Sequence, residues 1–300
     1  MRAVDGVSFD LHRSETLGIV GESGCGKTTL GRTVLRLLEP SEGAVVFEGT
    51  DLCSLARREL RRLRPRMQIV FQDPAASLNP RKSTGQIIRR ALRVAGVRQR
   101  AERQKRMAGL LRSVRLEPEA AGRYPHQLSG GQKQRVSIAR ALATEPAFIV
   151  ADEPVSSLDV SVQAQILRIL AELQQERGLS LLFISHDLSV VRQVSHRIAV
   201  MYLGKIVEIG RTSDVIGHPA HPYTQSLLAA VPRLRRRRLL SQRLLAGETP
   251  SATSPPTGCH FHPRCPASQI AACQERSPDV RDLGGGHSAA CHLLNREEEA

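Results

Sequence analysis

Apolar runs recur along the chain with helix-spaced polar stretches between them, the pattern of a mostly parallel sheet covered by helices. Residues 16–20 (TLGIV) read as a buried strand, followed by a glycine-rich turn and a helix predicted over about 27–38. Further strands are expected at 67–71, 147–151, 180–184 and 197–201. Between Val160 and Glu176, the apolar residues Ile166, Ile169, Leu170 and Leu173 repeat at helical spacing.

The texture changes twice. Residues 83–145 are helical by pattern, rich in Arg, Gln and Ala and poor in β-branched runs, and read as an insertion between two strands. They divide a core of residues 1–82 and 146–232. Beyond it come an arginine run and a Ser/Thr/Pro stretch (GETPSATSPPTG), read as a linker over 233–258, then a Cys/His-rich tail over 259–300. No internal repeat is visible.

Composition sharpens this picture. Of the 300 residues, 41% are hydrophobic, enough for a sizeable core, so wholesale disorder is not expected. Aromatics make up 3% and Trp is absent, which argues against a sugar-binding or base-stacking surface. No window approaches the ~18 apolar residues needed to cross a bilayer, and the first residues lack the apolar core of a signal peptide. A cytosolic setting, with reduced or metal-bound cysteines, is therefore expected. The net charge of +14 attracts nucleic acid or an anionic membrane. Its clusters, six arginines within 57–66 and Arg235 to Arg238, read equally well as solvated surface.

Gly21-Glu-Ser23-Gly24-Cys25-Gly26-Lys27-Thr28 fits G-x-x-x-x-G-K-[ST], and Thr29 follows it. Glycines let the backbone close round phosphates and aim its N–H groups at them. The next helix presents its positive end to the same anion. Lys27 would neutralise the β- and γ-phosphates of a nucleotide, and the Thr28 hydroxyl would hold Mg²⁺. The strand–turn–helix context that this motif needs is present. A second apolar run ends in Asp152 and Glu153. Asp152 is placed to hold Mg²⁺ through water, and Glu153 to polarise the attacking water.

Leu128-Ser129-Gly130-Gly131-Gln132 resembles the signature of ABC ATPases. Ser129 and the amides of Gly130 and Gly131 would cap a helix and offer a second anion site. The resemblance implies an α/β fold: a phosphate-loop ABC ATPase core with a mixed sheet, a helical subdomain insertion and a small Cys-rich C-terminal tail. It also implies a dimer, homo- or heteromeric, in which each signature completes the partner's ATP site. Gln72 (VFQDP) matches the family's loop glutamine that reaches Mg²⁺ and the water, and His186 (ISHD) the histidine that contacts the γ-phosphate. Asp159 lies in the loop that crosses the dimer interface. The expected catalytic set is Glu153, His186 and Gln72, with Thr28, Gln72 and Asp152 on Mg²⁺.

FQDPAASLNPRKSTGQII, HPAHPYTQSLLAAVP and GCHFHPRCP resemble ATPase subunits of oligopeptide and dipeptide importers, and a nickel-uptake branch carries similar segments. That implies peptide import through two separate transmembrane permeases, fed by an extracytoplasmic solute-binding protein, with the ATPase peripheral on the cytoplasmic face of the membrane. The insertion would dock the permeases. No nucleic acid partner is expected. A soluble ABC ATPase acting on DNA or ribosomes is the competing class, disfavoured because neither long coiled coils nor a second ATPase domain is visible. Chains of the family usually start some twenty residues earlier, with an aromatic that stacks on adenine. No aromatic precedes Phe9 here: either the sequence starts at a downstream Met or it lacks the adenine platform, which would weaken ATP binding and base selectivity.

Cys259, Cys265, Cys273 and Cys291 are spaced C-x₅-C-x₇-C-x₁₇-C, unlike the usual C-x₂-C zinc pattern. Four thiols suit an iron–sulfur cluster or Zn²⁺, and the bland reading is four reduced thiols. The resemblance to importer ATPases with this tail implies a [4Fe–4S] cluster.

Overall fold

The computed structural model describes residues 2–230, 250–251, 253–268 and 270–294. The run Arg235 to Arg238 and most of the expected linker lie outside these residues. In chain order the strands are β1 (Thr16–Val20), β2 (Val46–Phe47), β3 (Thr50–Asp51), β4 (Met67–Val70), β5 (Phe148–Asp152), β6 (Ser180–Ser185), β7 (Arg197–Tyr202), β8 (Lys205–Arg211), β9 (Val280–Asp282) and β10 (Ser288–Ala290). The α-helices are α1 (Lys27–Val34), α2 (Arg57–Leu63), α3 (Pro74–Ser77), α4 (Thr84–Val94), α5 (Arg100–Ser113), α6 (Gly130–Leu142), α7 (Val160–Arg177), α8 (Leu188–Val194), α9 (Thr212–Gly217), α10 (Pro222–Ala230) and α11 (Ala272–Glu275).

The chain forms two compact units. The first holds the residues up to Asp10, Leu17–Leu30 and those from Ser185 onward, and the second holds Leu11–Thr16 and Gly31–Ile184.

In the second unit, β4, β5 and β6 run parallel, with Met67 opposite Phe148 and Phe148 opposite Ser180. The FIVAD segment of β5 is buried throughout, as a strand covered on both faces must be. Helices α4, α5 and α6 occupy the stretch where the sequence turns Arg- and Gln-rich. A capping box at Ser83 and Gln86 starts α4. The arginines around α2 mostly face solvent, with Arg66 paired to Glu48 and Arg64 donating to the Arg36 carbonyl. The expected helix over 27–38 is shorter. α1 stops at Val34 because Arg36 adopts φ +50°, Arg36 N–H bonds Thr33 O (2.7 Å), and Leu37 N–H bonds Arg32 O (2.8 Å). This is a left-handed helix stop of the kind usually built on glycine, here made by an arginine. The Arg36 guanidinium secures it by donating to Leu52 O (2.5 Å) and Leu55 O (2.7 Å).

In the first unit, β1 lies parallel to β7, while β8, β10 and β9 continue in antiparallel order from β7. Leu203 (φ +40°) and Gly204 (φ +83°) turn β7 into β8, the double left-handed turn that matches strand twist. Sequence patterning missed β8, β9 and β10. β10 adds to β8 with Ser288 opposite Ile209 and Ala289 opposite Glu208, which seats tail residues on the sheet.

Aromatic residues are few, yet three of the nine meet in this unit. The rings of Tyr202, Tyr223 and Phe261 lie 4.7–5.3 Å apart, all fully buried. Beside them Glu208, 1% exposed, accepts from Ala220 N–H, His221 N–H (2.9 Å each) and His287 Nε2 (2.8 Å). His221 is fully enclosed, accepts the Tyr223 N–H at Nδ1 (3.0 Å), and is held down to a pKa of about 3 by burial. It is therefore neutral in the fold, while the unfolded chain takes up a proton below about 6.5. Stability is full above that pH and falls with acidification towards 3. Between pH 7.5 and 5.5 this single group should cost about 1 kcal/mol. Urea unfolding of His221→Asn, which keeps an acceptor for Tyr223, should show a loss smaller by that amount. Equal losses in the two proteins would refute the assignment.

Candidate functional site

β1 delivers the chain into the glycine loop and α1 takes it out, as the motif requires. The loop is packed at backbone level. A Cβ on Gly21 would lie 2.1 Å from Met201 O, and one on Gly26, at φ +105°, would lie 2.0 Å from Ala3 O. No side chain fits either place. Ser23 and Gly24 sit exposed at the rim, while Thr28 and Thr29 are half-buried in the first turn of α1. Lys27 is 4% exposed and folds under the loop, donating to Gly21 O and Glu22 O at 2.7 Å each and reaching Cys25 Sγ at 3.7 Å. Burial pushes the Cys25 thiol up, against the opposing pull of Lys27. The loop is thus braced from beneath by its own cation. In the same unit His186 is exposed on a tight turn, between Ser185, whose Oγ accepts Asp187 N–H (3.1 Å), and Asp187, which caps α8 by accepting Ser189 N–H (2.8 Å).

In the second unit, Asp152 ends β5 and is 2% exposed. Glu153 follows at φ +45°, with its N–H on Ile184 O (2.9 Å). This left-handed step turns the side chain away from the strand direction, a strained posture for a non-glycine residue. There Glu153 Oε2 accepts from Gln72 Nε2 at 3.0 Å, so two candidate catalytic residues 81 positions apart meet. Ser129 caps α6: its Oγ accepts Gln132 N–H (3.3 Å), and Gln132 Oε1 accepts Ser129 N–H (3.1 Å). Ser129 and Gly130 are exposed, whereas Gly131 is buried. Asp159 precedes α7, its carbonyl accepting Gln163 N–H (2.8 Å) while its side chain makes no cap bond, and Val160 beside it is 82% exposed.

Residues 4–156 match the ABC transporter family, and residues 207–273 match the C-terminal region of oligopeptide/dipeptide transporters. The oligopeptide transport ATP-binding protein AppF of Bacillus subtilis is 51% identical over 298 residues, 98% of this chain and 90% of that protein. The chain belongs to the ABC transporter family. Its fold agrees with solved cassettes. cbiO1 of Clostridium perfringens, part of the ABC transporter complex cbiONQ, aligns with TM-score 0.65 and 29% identity over 72% of this chain and 84% of that one. The dimeric ATP-binding cassette MJ0796, bound to ADP and Pi after hydrolysis, aligns with TM-score 0.63 and 31% identity over 70% and 90%. As an ABC ATPase the chain binds ATP with Mg²⁺ and hydrolyses it. Among the described residues no helix is long and apolar enough to cross a membrane.

The cysteine-bearing segment of this ABC ATPase is folded around short turns. Cys259 N–H bonds Cys273 O (2.8 Å), and burial raises the Cys259 thiol and lifts Cys291 to about 11. Cys259, Cys265 and Cys273 all add to the upward push on Cys291. No group of three or more His, Cys, Asp or Glu among the described residues is arranged to hold a metal ion. The neighbouring histidines have other engagements: His260 at Leu203 O, His262 at Cys259 O, His287 at Glu208 and His292 at Arg276 O.

Sequence reasoning missed one feature of the loop. Arg264 clamps Glu22 with Nη1 on Oε2 (2.7 Å) and Nη2 on Oε1 (2.9 Å), and Tyr223 OH accepts the Glu22 N–H (3.0 Å). Only the local run GCHFHPRCP hinted at a special role for this arginine.

The signature helix carries its own packing constraint. A Cβ on Gly131 would meet Val162 Cγ1 at 2.4 Å. Gly131→Ala gains up to ~1 kcal/mol of helix propensity but should lose about 1–3 kcal/mol to overpacking. Urea unfolding should show a net loss in the wild-type background and none in Val162→Ala. A loss that persists in Val162→Ala would overturn this explanation.

Proposed function

We propose that this chain powers peptide import across the cytoplasmic membrane, from its cytoplasmic face, by driving two separate permeases as one half of an ATPase pair. The import reading rests on AppF's likeness along almost the whole chain and on the transporter-specific match at 207–273. A solute-binding protein outside the membrane would deliver the peptide. In this reading residues 1–82 and 146–232 form the ATPase core, 83–145 the permease-docking subdomain, 233–258 a linker and 259–300 an accessory tail.

The catalytic reading is carried by the Gln72–Glu153 pair directly after buried Asp152. Backbone N–H groups of Gly21 to Thr29 cradle the phosphates, and Lys27 exchanges its loop carbonyls for phosphate oxygens. Mg²⁺ fits an acidic strand end and a helix-start hydroxyl, so Asp152, Thr28 and Gln72 are its proposed holders, and it supplies charge neutralisation. Glu153 accepts the proton of the attacking water, oriented by Gln72 and His186. The partner subunit's signature, the equivalent of Ser129 to Gln132 here, closes over the γ-phosphate, and Asp159 lies at that interface. Glu153→Gln should retain ATP binding while turnover falls by about 10²–10⁴-fold. In host cells the same variant should stop uptake of a labelled oligopeptide. Normal turnover would remove Glu153 from the mechanism, and normal uptake would remove peptide import.

For the tail, we propose that Cys259, Cys265, Cys273 and Cys291 hold a [4Fe–4S] cluster. Cys₄ ligation suits an iron–sulfur cluster, the group implied by the resemblance to importer ATPases with this tail, and the match at 207–273 supports that resemblance. Such a group would supply a covalent cross-brace to a segment with little apolar core. Anaerobically purified protein should contain about four iron and four sulfide per chain, and Cys291→Ser should lose both. Zinc in their place, or no metal, would refute the cluster.

A further inference from the structure

We infer that Arg264 is a positioning residue for ATP binding, holding the phosphate loop in shape and neutralising Glu22 within it. The inference rests on the reading of the Gly21 to Thr28 loop as the ATP phosphate site.

A glycine loop has almost no side-chain packing, so other segments must fix its backbone. Lys27 braces it from inside. The outer ties come from the C-terminal half of the chain. Gly204 N–H bonds Cys25 O (2.9 Å), Tyr223 OH accepts the Glu22 N–H (3.0 Å), and Arg264 grips both Glu22 oxygens. The guanidinium is itself held rigid. Its side chain is 6% exposed, lies 6.0 Å from the centre of the Tyr202 ring, and springs from a helical turn closed by Arg264 N–H on Phe261 O (3.0 Å). Phe261, next to that turn, packs in the Tyr202–Tyr223 cluster. A two-pronged planar grip on a carboxylate is specific to arginine.

Two consequences for ATP follow. A loop fixed in advance loses less freedom when phosphates arrive. Glu22 also places a carboxylate in a loop that must accept a highly charged anion, and Arg264 cancels that charge at close range. Removing the arginine alone leaves the carboxylate to repel ATP, whereas removing both charges restores balance. The pair therefore predicts partial rescue, which simple loss of packing does not.

The test is calorimetric titration of the purified full-length chain with ATP and Mg²⁺. Arg264→Ala should weaken ATP binding about tenfold, and Glu22→Gln/Arg264→Ala should recover to within about threefold of wild type. Arg264→Lys, which keeps the charge but loses the fork, should fall between and serves if Arg264→Ala does not fold. Lys27→Ala is the reference for the site itself. If it leaves ATP binding unchanged, the phosphate-site reading fails. If Lys27→Ala abolishes binding, two results would overturn the role of Arg264: single variants within about twofold of wild type, or a double variant no better than Arg264→Ala.

Discussion

The close approach of bare backbone around the Gly21 to Thr28 loop is the constraint on which the first unit is built. Gly21 lies against the end of β7 and Gly26 against Ala3 in the N-terminal segment, at distances that exclude any side chain. The N-terminal segment is in turn pinned by Asp5, whose N–H bonds Gly204 O and whose carboxylate pairs with Lys205. That lysine holds the Asp5 carboxyl below its ordinary range. Thus the same two-residue turn between β7 and β8 secures both the loop, through Cys25 O, and the strand of chain that covers it. Anion binding by main-chain N–H groups demands such a frame, because a loop free to rearrange would satisfy those donors with its own carbonyls.

The few aromatic residues extend that frame outward. Tyr202 ends β7, Tyr223 opens α10 and Phe261 begins the cysteine-bearing turns, so one edge-to-face cluster joins three distant stretches of chain. Glu208 does the polar half of the same work, gathering the entry to α10 and His287 onto β8. A carboxylate enclosed to this degree is tolerable only with several donors on it, and three are present. Residues 207–273, the stretch shared with oligopeptide/dipeptide transporters, run from β8 through these contacts. The family-specific region is therefore anchored to the strands that support the glycine loop.

Much of this was legible in the sequence where the cause is local. β1 and β5 are continuous apolar runs because both faces are covered, and α7 keeps its apolar stripe up to the glycine stop at Gly178. The turn at Gly21 to Thr28, Asp152 and Ser129 were readable because a glycine-rich strand–helix turn, a strand-end carboxylate and a helix cap are each set by a few adjacent residues. What escaped was set by tertiary context. Arg36 stops α1 in a left-handed conformation that sequence assigns to glycine, and it is held there by carbonyls of the segment after β3. β9 and β10 have three residues each, too short for periodicity, and form because β8 offers an open edge. The meeting of Gln72 with Glu153 was implied by family resemblance alone, since no spacing rule joins residues on different strands.

The Arg264–Glu22 pair is the extreme case, with 242 residues between its members. Its neighbours give it a wider reach. Cys259 and Cys265 bracket the turn that carries Phe261 and Arg264, and Cys265 is covalently next to the arginine. Cys259 is also tied through its N–H to Cys273 O, which fixes the entry to the turn. A bidentate grip weakens steeply once its two hydrogen bonds leave the line of their acceptors. The grip of Arg264 on Glu22 therefore depends on the turn between these two cysteines, which the Phe261 ring anchors in the aromatic cluster.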